Sequence, residues 1–140
     1  SDFSEPLYIP DVESGCMICN LLIFLAAAFG PTVELDEIVI LGALDKEIVR
    51  RIAEHREEDL LSCYREALKR RPGLSGSVAV RYTVSSIGYL SKVAVKEATL
   101  KDRRMHRCLV RKIEKWRFPS AKGGGICHIQ CRWKFIPPRP

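Results

Sequence analysis

Lysine and arginine are missing from the first 45 residues, which hold eight acids: Asp2, Glu5, Asp11, Glu13, Glu34, Asp36, Glu37 and Asp45. All 23 basic residues come later, opposed by nine acids. Such asymmetry implies either two parts with different jobs or an acidic arm that neutralises a basic body. With no early positive charge, no secretory signal is expected at the start, because "SDFSEPLYIPDVESG" is acidic where the leading region of a signal is positive. An exported protein with this sequence is therefore expected to be a piece of a longer chain. No apolar run reaches the about 20 residues that a membrane-crossing helix needs. The longest, "CMICNLLIFLAAAFG" over residues 16–30, is interrupted by Asn20 and has acids rather than basic residues on its flanks. It reads as a buried or partner-covered segment, with Leu21 to Phe29 lying on an apolar surface, ahead of a short membrane-associated one.

Histidine is scarce, and His55, His106 and His128 fall on separate elements, with no serine or aspartate in a recognisable arrangement and no acids paired for proton transfer. They read as solvated surface residues. Enzymatic activity and a bound cofactor are not expected. Cysteine, by contrast, is abundant: six in a short chain favours an oxidising compartment. The spacing Cys16-x-x-Cys19 suits zinc, and Cys127, His128 and Cys131 offer further ligands. Cys127 and Cys131, however, are four apart on an expected strand, about 13 Å at full extension, and His128 points to the other face. Zinc and a thioredoxin-like use of Cys16 and Cys19 are weaker readings than a second structural disulfide or plain burial.

From Asp45, a plausible N-cap, Val49, Ala53, Arg56, Leu60, Cys63 and Ala67 recur at three- and four-residue steps, which predicts one helix that ends near Arg71 before Pro72-Gly73. Only Arg56 spoils its apolar stripe. The alternation of Val78, Val80, Tyr82 and Val84 predicts a strand with one buried face, "SSIG" a turn, and residues 89–98 the returning strand of a hairpin. Asp102 can cap a second helix whose Met105, Cys108, Leu109, Ile113 and Trp116 share a face. Gly123, Gly124 and Gly125 form a turn before a last strand in which Cys127, Ile129, Cys131, Trp133 and Phe135 point inward. One further short strand is possible over residues 37–41. The expected fold class is α+β, with two helices on one face of a three-stranded antiparallel sheet in the order α-β-β-α-β. The expected boundaries are an acidic and apolar N-terminal segment or linker over 1–40, a domain over 41–136 and a proline-rich tail over 137–140.

Three stretches, "ILGALDKEIVRRI", "CYREALKRRPGLSGSVAVRYTVSSIGYLSKVAV" and "ATLKDRRMHRCLVRKIEKWRFPSAKGGG", carry a family likeness over about residues 40–136. With its helix end, Pro-Gly break, hairpin and Trp-x-Phe-Pro at Trp116 to Pro119, the sequence resembles the AgmX/PglI C-terminal domain, a branch of the TonB C-terminal superfamily. It departs from that pattern at Cys131 and Arg132, where an aromatic followed by proline is expected, at the extra Cys127, and before residue 32, where relatives usually show a glycine-rich linker. The resemblance implies a non-enzymatic adaptor in the periplasm or cell envelope of a Gram-negative bacterium. Such a module couples an inner-membrane machine, for transport energy or gliding motility, to an outer-membrane partner.

Cys63 and Cys108 fall on the core faces of helices expected to pack side by side. A disulfide between them is expected ahead of two buried free thiols, and the resemblance points the same way, since relatives carry both cysteines. The last strand is expected at a sheet edge, with Cys127, His128, Gln130, Arg132 and Lys134 at an interface that accepts an extended peptide of an envelope protein, or a second copy, by β-augmentation. Arg132 and Lys134 would then favour an acidic segment. The second helix carries a basic face of Arg103, Arg104, Arg107, Arg111 and Lys115, read as a solvated surface, an acidic-partner site or, third, a nucleic-acid contact. A basic α+β nucleic-acid-binding domain is thus the alternative function. It is disfavoured because Arg81, Thr83, Lys92 and Lys96, rather than stacking aromatics, are the expected outward set of the sheet. "GLSG" (residues 73–76) matches the loop of RNA-binding KH domains in letters alone, because here it joins a helix to a strand.

Overall fold

The structure, a computed structural model, describes residues 30–139. Expectations for Cys16, Cys19 and the apolar run lie outside the described residues. The folded unit covers Pro31–Pro138. Its elements are β1 (Thr32–Leu41), α1 (Lys46–His55), α2 (Glu57–Arg70), β2 (Gly76–Val84), β3 (Leu90–Ala98), α3 (Arg103–Ile113), a short 3-10 turn (Lys122–Gly124) and β4 (Cys127–Ile136). The class is α+β, and the four strands form one antiparallel sheet in the order β1-β4-β2-β3.

The helix expected from Asp45 to Arg71 is two helices. Asp45 does cap the first, its carboxylate accepting the Glu47 N–H at 3.0 Å. At Arg56 the backbone leaves the helical region (φ −104°, ψ 16°), and α2 restarts on Glu57, Glu58 and Asp59, acids that suit the positive end of a helix dipole. The break removes the one charged residue from the apolar stripe: Arg56 is exposed, while Val49 and Ala53 of α1 and Leu60, Cys63, Tyr64 and Ala67 of α2 are buried. Past the helix end, the Tyr64 hydroxyl donates to the Leu74 carbonyl and closes the loop into β2.

β4 follows its expected alternation, with Cys127, Ile129, Cys131, Trp133 and Phe135 all buried beneath the helices. Trp133 meets Trp116 edge to face at 6.1 Å between centroids, and Phe135 meets Tyr64 at 5.2 Å, so two aromatic pairs tie the sheet to the segments above it. The Trp116 indole N–H donates to Asp59 at 3.1 Å, which satisfies its buried polar atom. The hairpin turn docks against the segment after α3, where the Phe118 N–H donates to the Gly88 carbonyl at 2.9 Å. Gly88 (φ +89°) leaves no room there for a side chain, since a Cβ would fall 1.8 Å from the Phe118 carbonyl oxygen.

The fourth strand corrects the expected domain boundary. All but the last residue of β1 falls in the stretch read as an N-terminal segment or linker over 1–40, yet the strand pairs with β4 from Thr32 opposite Ile136 to Leu41 opposite His128. Its alternation is interrupted by a bulge, because Leu35 faces Trp133 and Glu37 faces Arg132, leaving Asp36 without a partner. The extra residue shifts the phase by one. Val33 and Leu35 before the bulge, and Ile38 and Ile40 after it, therefore all lie on the helix side against the core. Each half alternates separately, but only the second carries an unbroken apolar run, residues 38–41, which is why the sequence suggests a strand over residues 37–41 alone.

Candidate functional site

β4 is not an edge strand. It is flanked by β1 on one side and β2 on the other, so the row of backbone groups expected to be free is already bonded to the chain's own N-terminal strand. The residues expected at a partner-binding edge have other places. Cys127 is buried beneath Gly42 (φ +141°), which approaches so closely that a Cβ there would lie 2.5 Å from the Cys127 sulfur. His128 sits on the open face with its Nδ1 3.1 Å from the Thr83 hydroxyl. Lys134 is exposed opposite Glu34. Gln130 lies between Val39 of β1 and Arg81 of β2.

Arg132 is the centre of a charge ladder across the open face. Its guanidinium reaches Glu37 of β1 at 2.8 Å and Glu97 of β3 at 3.1 Å. Between Arg132 and Glu97 stands Ala79 of β2, the register partner of both, buried under the arm that crosses it. A larger side chain there would block the bridge. Glu37 thus supplies the acidic strand that Arg132 was expected to attract, and supplies it from within the chain. The pairs are partly solvated and individually modest, but they fix which face of β1 is outward.

Among the described residues the outer strands of the sheet are β1 and β3, and they differ in charge. Residues 32–41 contain Glu34, Asp36 and Glu37 and no base. At the same edge Val39 and Leu41 are 45% and 68% exposed, lining with Arg81, His128 and Gln130 a shallow cavity of about 360 Å³ on the open face. The opposite edge is basic. β3 carries exposed Lys92 and Lys96, and α3, which packs beside it, presents Arg103, Arg104, Arg107 and Arg111 to solvent, with exposed Lys115 in the turn just past its end. Among the described residues no carboxylate lies within ion-pair distance of those five. A groove of about 400 Å³ runs between α3 and β3, with Val95 and Val110 in its lining beside Arg107 and Arg111.

The disulfide is present, joining Cys63 of α2 to Cys108 of α3 with Cα atoms 5.8 Å apart. Cys127 and Cys131 are buried free thiols. Burial pushes the Cys131 thiol up to about 11, with the Tyr82 hydroxyl 3.6 Å from its sulfur, so it has little thiolate character at neutral pH. His106 is half-buried, its Nε2 donating to the Leu100 carbonyl at 2.8 Å, and so is less solvated than expected. Among the described residues no three His, Cys, Asp or Glu side chains cluster as metal ligands.

Sequence reading assigned Asp102 a cap, and the structure gives it a second role. Its carboxylate accepts the Met105 N–H at 2.8 Å and the Arg70 guanidinium at 2.8 Å, with Arg71 at 3.7 Å, so it clamps the end of α2 to the start of α3. Burial works to raise its pKa, but the Met105 N–H, Arg70 and Arg71 outweigh it and hold the group below the ordinary carboxylate range. The folded value is the lower one, so the clamp's contribution is present above the unfolded value of about 3.9 and is lost as pH falls through the folded value. Asp102→Asn is therefore expected to cost about 1–2 kcal/mol at neutral pH, mostly from the lost charge, and close to nothing at the acid end. Urea unfolding of both proteins from pH 7 down to pH 2 checks this; a gap that stays constant with pH would place the effect in the cap alone.

Comparison of the chain with protein-family models, with curated proteins and with solved structures finds no match.

Proposed function

We propose that this domain is a non-enzymatic interaction module of the bacterial cell envelope, of the TonB and AgmX kind that its sequence resembles, and that it engages partners by strand addition. In that setting it would link an inner-membrane machine, for transport energy or gliding motility, to an outer-membrane or periplasmic partner. The observation that carries the reading is β1 itself. Without residues 32–41 the described residues form an α-α-β-β-α-β body whose last strand would be an edge, and that edge holds an added strand of aliphatic and acidic residues, paired on both sides of its one bulge. The Cys63–Cys108 bond, which suits an oxidising compartment, supports the same setting. Because the body's own edge is filled, the partner site moves outward to β1. The chemistry of the partner changes with it, since Glu34, Asp36, Val39 and Leu41 call for an extended segment that is basic and aliphatic rather than acidic.

The nucleic-acid reading rests on the basic face of α3, but the open face of the four strands carries no phenylalanine, tyrosine or tryptophan as a stacking platform. Titration of the ¹⁵N-labelled chain with a synthetic peptide alternating lysine and valine tests the proposal. Amide shifts concentrated at residues 32–41 are the expected result. Shifts that appear on α3 with single-stranded RNA, and none on β1 with the peptide, would overturn it in favour of the nucleic-acid reading.

A further inference from the structure

We infer that the partner of the β1 edge is the opposite edge of a second copy, so that the domain joins head to tail through β1 of one copy and the β3–α3 side of the next. The inference rests on the strand-addition reading above, because it names the occupant of that same edge. Three features of the fold support it. The first is parity. The sheet has four strands in the order β1-β4-β2-β3 and every neighbouring pair is antiparallel. Shifting a copy sideways across the sheet therefore brings its β1 antiparallel to β3 of the first, the same pairing found everywhere inside the domain, and leaves the helices of both copies on one face. An odd number of strands would give a parallel junction instead.

The second is charge. The two edges carry opposite signs: Glu34 and Asp36 at β1, against Lys92 and Lys96 on β3 and Arg107 and Arg111 on the adjoining helix, with no carboxylate among the described residues within ion-pair distance of these arginines. Two β1 edges or two α3 faces repel each other, so symmetric pairing is disfavoured and the mixed junction is favoured. The third is apolar surface on the helix side of both edges, with partly buried Leu35 and Ile40 on β1 and Val95 and Val110 lining the groove beside β3.

β3 also limits the contact. Its ladder with β2 shifts register twice, between Ala79 and Val80 and between Arg81 and Thr83, and Lys92 takes a positive φ of 54°. A bulged edge offers only a short regular stretch for pairing, so the junction is weak, reversible and dependent on charge. Because it joins two different patches it does not close on itself, and it builds open chains of copies rather than a symmetric dimer.

Sedimentation velocity on the full chain tests this. The expected result is a mean sedimentation coefficient that rises with concentration at low salt, and an association that weakens roughly tenfold or more as ionic strength goes from about 0.01 M to about 0.15 M, over which the Debye length falls from about 30 Å to about 8 Å. Two neutralised proteins identify the junction: Glu34→Gln with Asp36→Asn, and Arg107→Gln with Arg111→Gln. Each alone is expected to be monomeric, while the equimolar mixture stops at a one-to-one dimer, because only one intact β1 edge and one intact α3 side remain in each pair. A wild-type chain that stays monomeric, that forms a closed dimer, or that assembles while the mixture does not, overturns the inference. If the lysine–valine peptide still shifts residues 32–41 in that case, the strand-addition reading stands without it; if the peptide shifts nothing there, both fall.

Discussion

Ile38→Asp is expected to destabilise the domain by about 3–5 kcal/mol, and Val39→Asp, one residue further on, by less than about 1 kcal/mol. Ile38 is 5% exposed and faces Cys131 across the β1–β4 ladder, so the substitution removes a packed aliphatic side chain and puts an unpaired carboxylate under the helices. Val39 lies on the open face, nearly half exposed, where a carboxylate stays hydrated. Urea unfolding measures both. Thiol reactivity gives a second readout, because Cys131 lies opposite Ile38 and Cys127 lies under Gly42 at the end of the same strand. Both thiols are expected to resist a neutral disulfide reagent in the native chain and in Val39→Asp, and to react in Ile38→Asp once β1 loosens. Equal costs at the two positions would show that residues 32–41 do not sit in this register.

Replacing Cys63 and Cys108 together by alanine is expected to cost about 4 kcal/mol in the chain-entropy account, since the bond closes a loop between residues 45 apart. The bond spans the two helices that cover the sheet, so it also holds the lid over Trp133 and Phe135. It is not alone in doing so. Asp102 bridges the same pair of helices through Arg70, and α2 keeps Leu60, Tyr64 and Ala67 in the core. The doubly substituted protein is therefore expected to keep its fold in water and to lose much of its resistance to urea. Guanidinium midpoints of the oxidised, reduced and substituted proteins check this. A difference below about 1 kcal/mol between oxidised and reduced forms would mean that the helices stay together in the unfolded ensemble, so that closing the loop restricts little.

How far the sequence reveals the fold differs from element to element. The inward row of β4, the caps at Asp45 and Asp102, the hairpin and the disulfide all follow from local rules: a period of two over ten residues, a carboxylate one residue before a helix, and two cysteines on facing apolar stripes. The break at Arg56 is nearly visible, since the expected stripe contained one charge too many, but no proline or glycine marks it. What selects the break is burial, because two helices with a turn between them place Val49, Ala53, Leu60 and Cys63 inside together and one straight helix would carry Arg56 in with them. β1 is half hidden by its bulge, which shows only in the pairing: Asp36 is the residue left over when Leu35 meets Trp133 and Glu37 meets Arg132.

The class of the domain, the inward rows of β2 and β4 and the opposite charge of its two ends are legible in the sequence, because each is a property of spacing or composition along a single segment. Which strand lies next to which depends on packing between distant segments. Backbone donors and acceptors are the same at every residue, so the sequence of β4 does not say whether its second side is empty or filled. That depends on whether a distant segment gains more by covering Phe135, Trp133, Cys131 and Ile129 than it loses by becoming ordered. Here β1 contributes Val33, Leu35, Ile38 and Ile40 to that surface and Glu37 to Arg132, and in doing so it turns the expected basic edge into the interior of the sheet and makes an acidic strand its border.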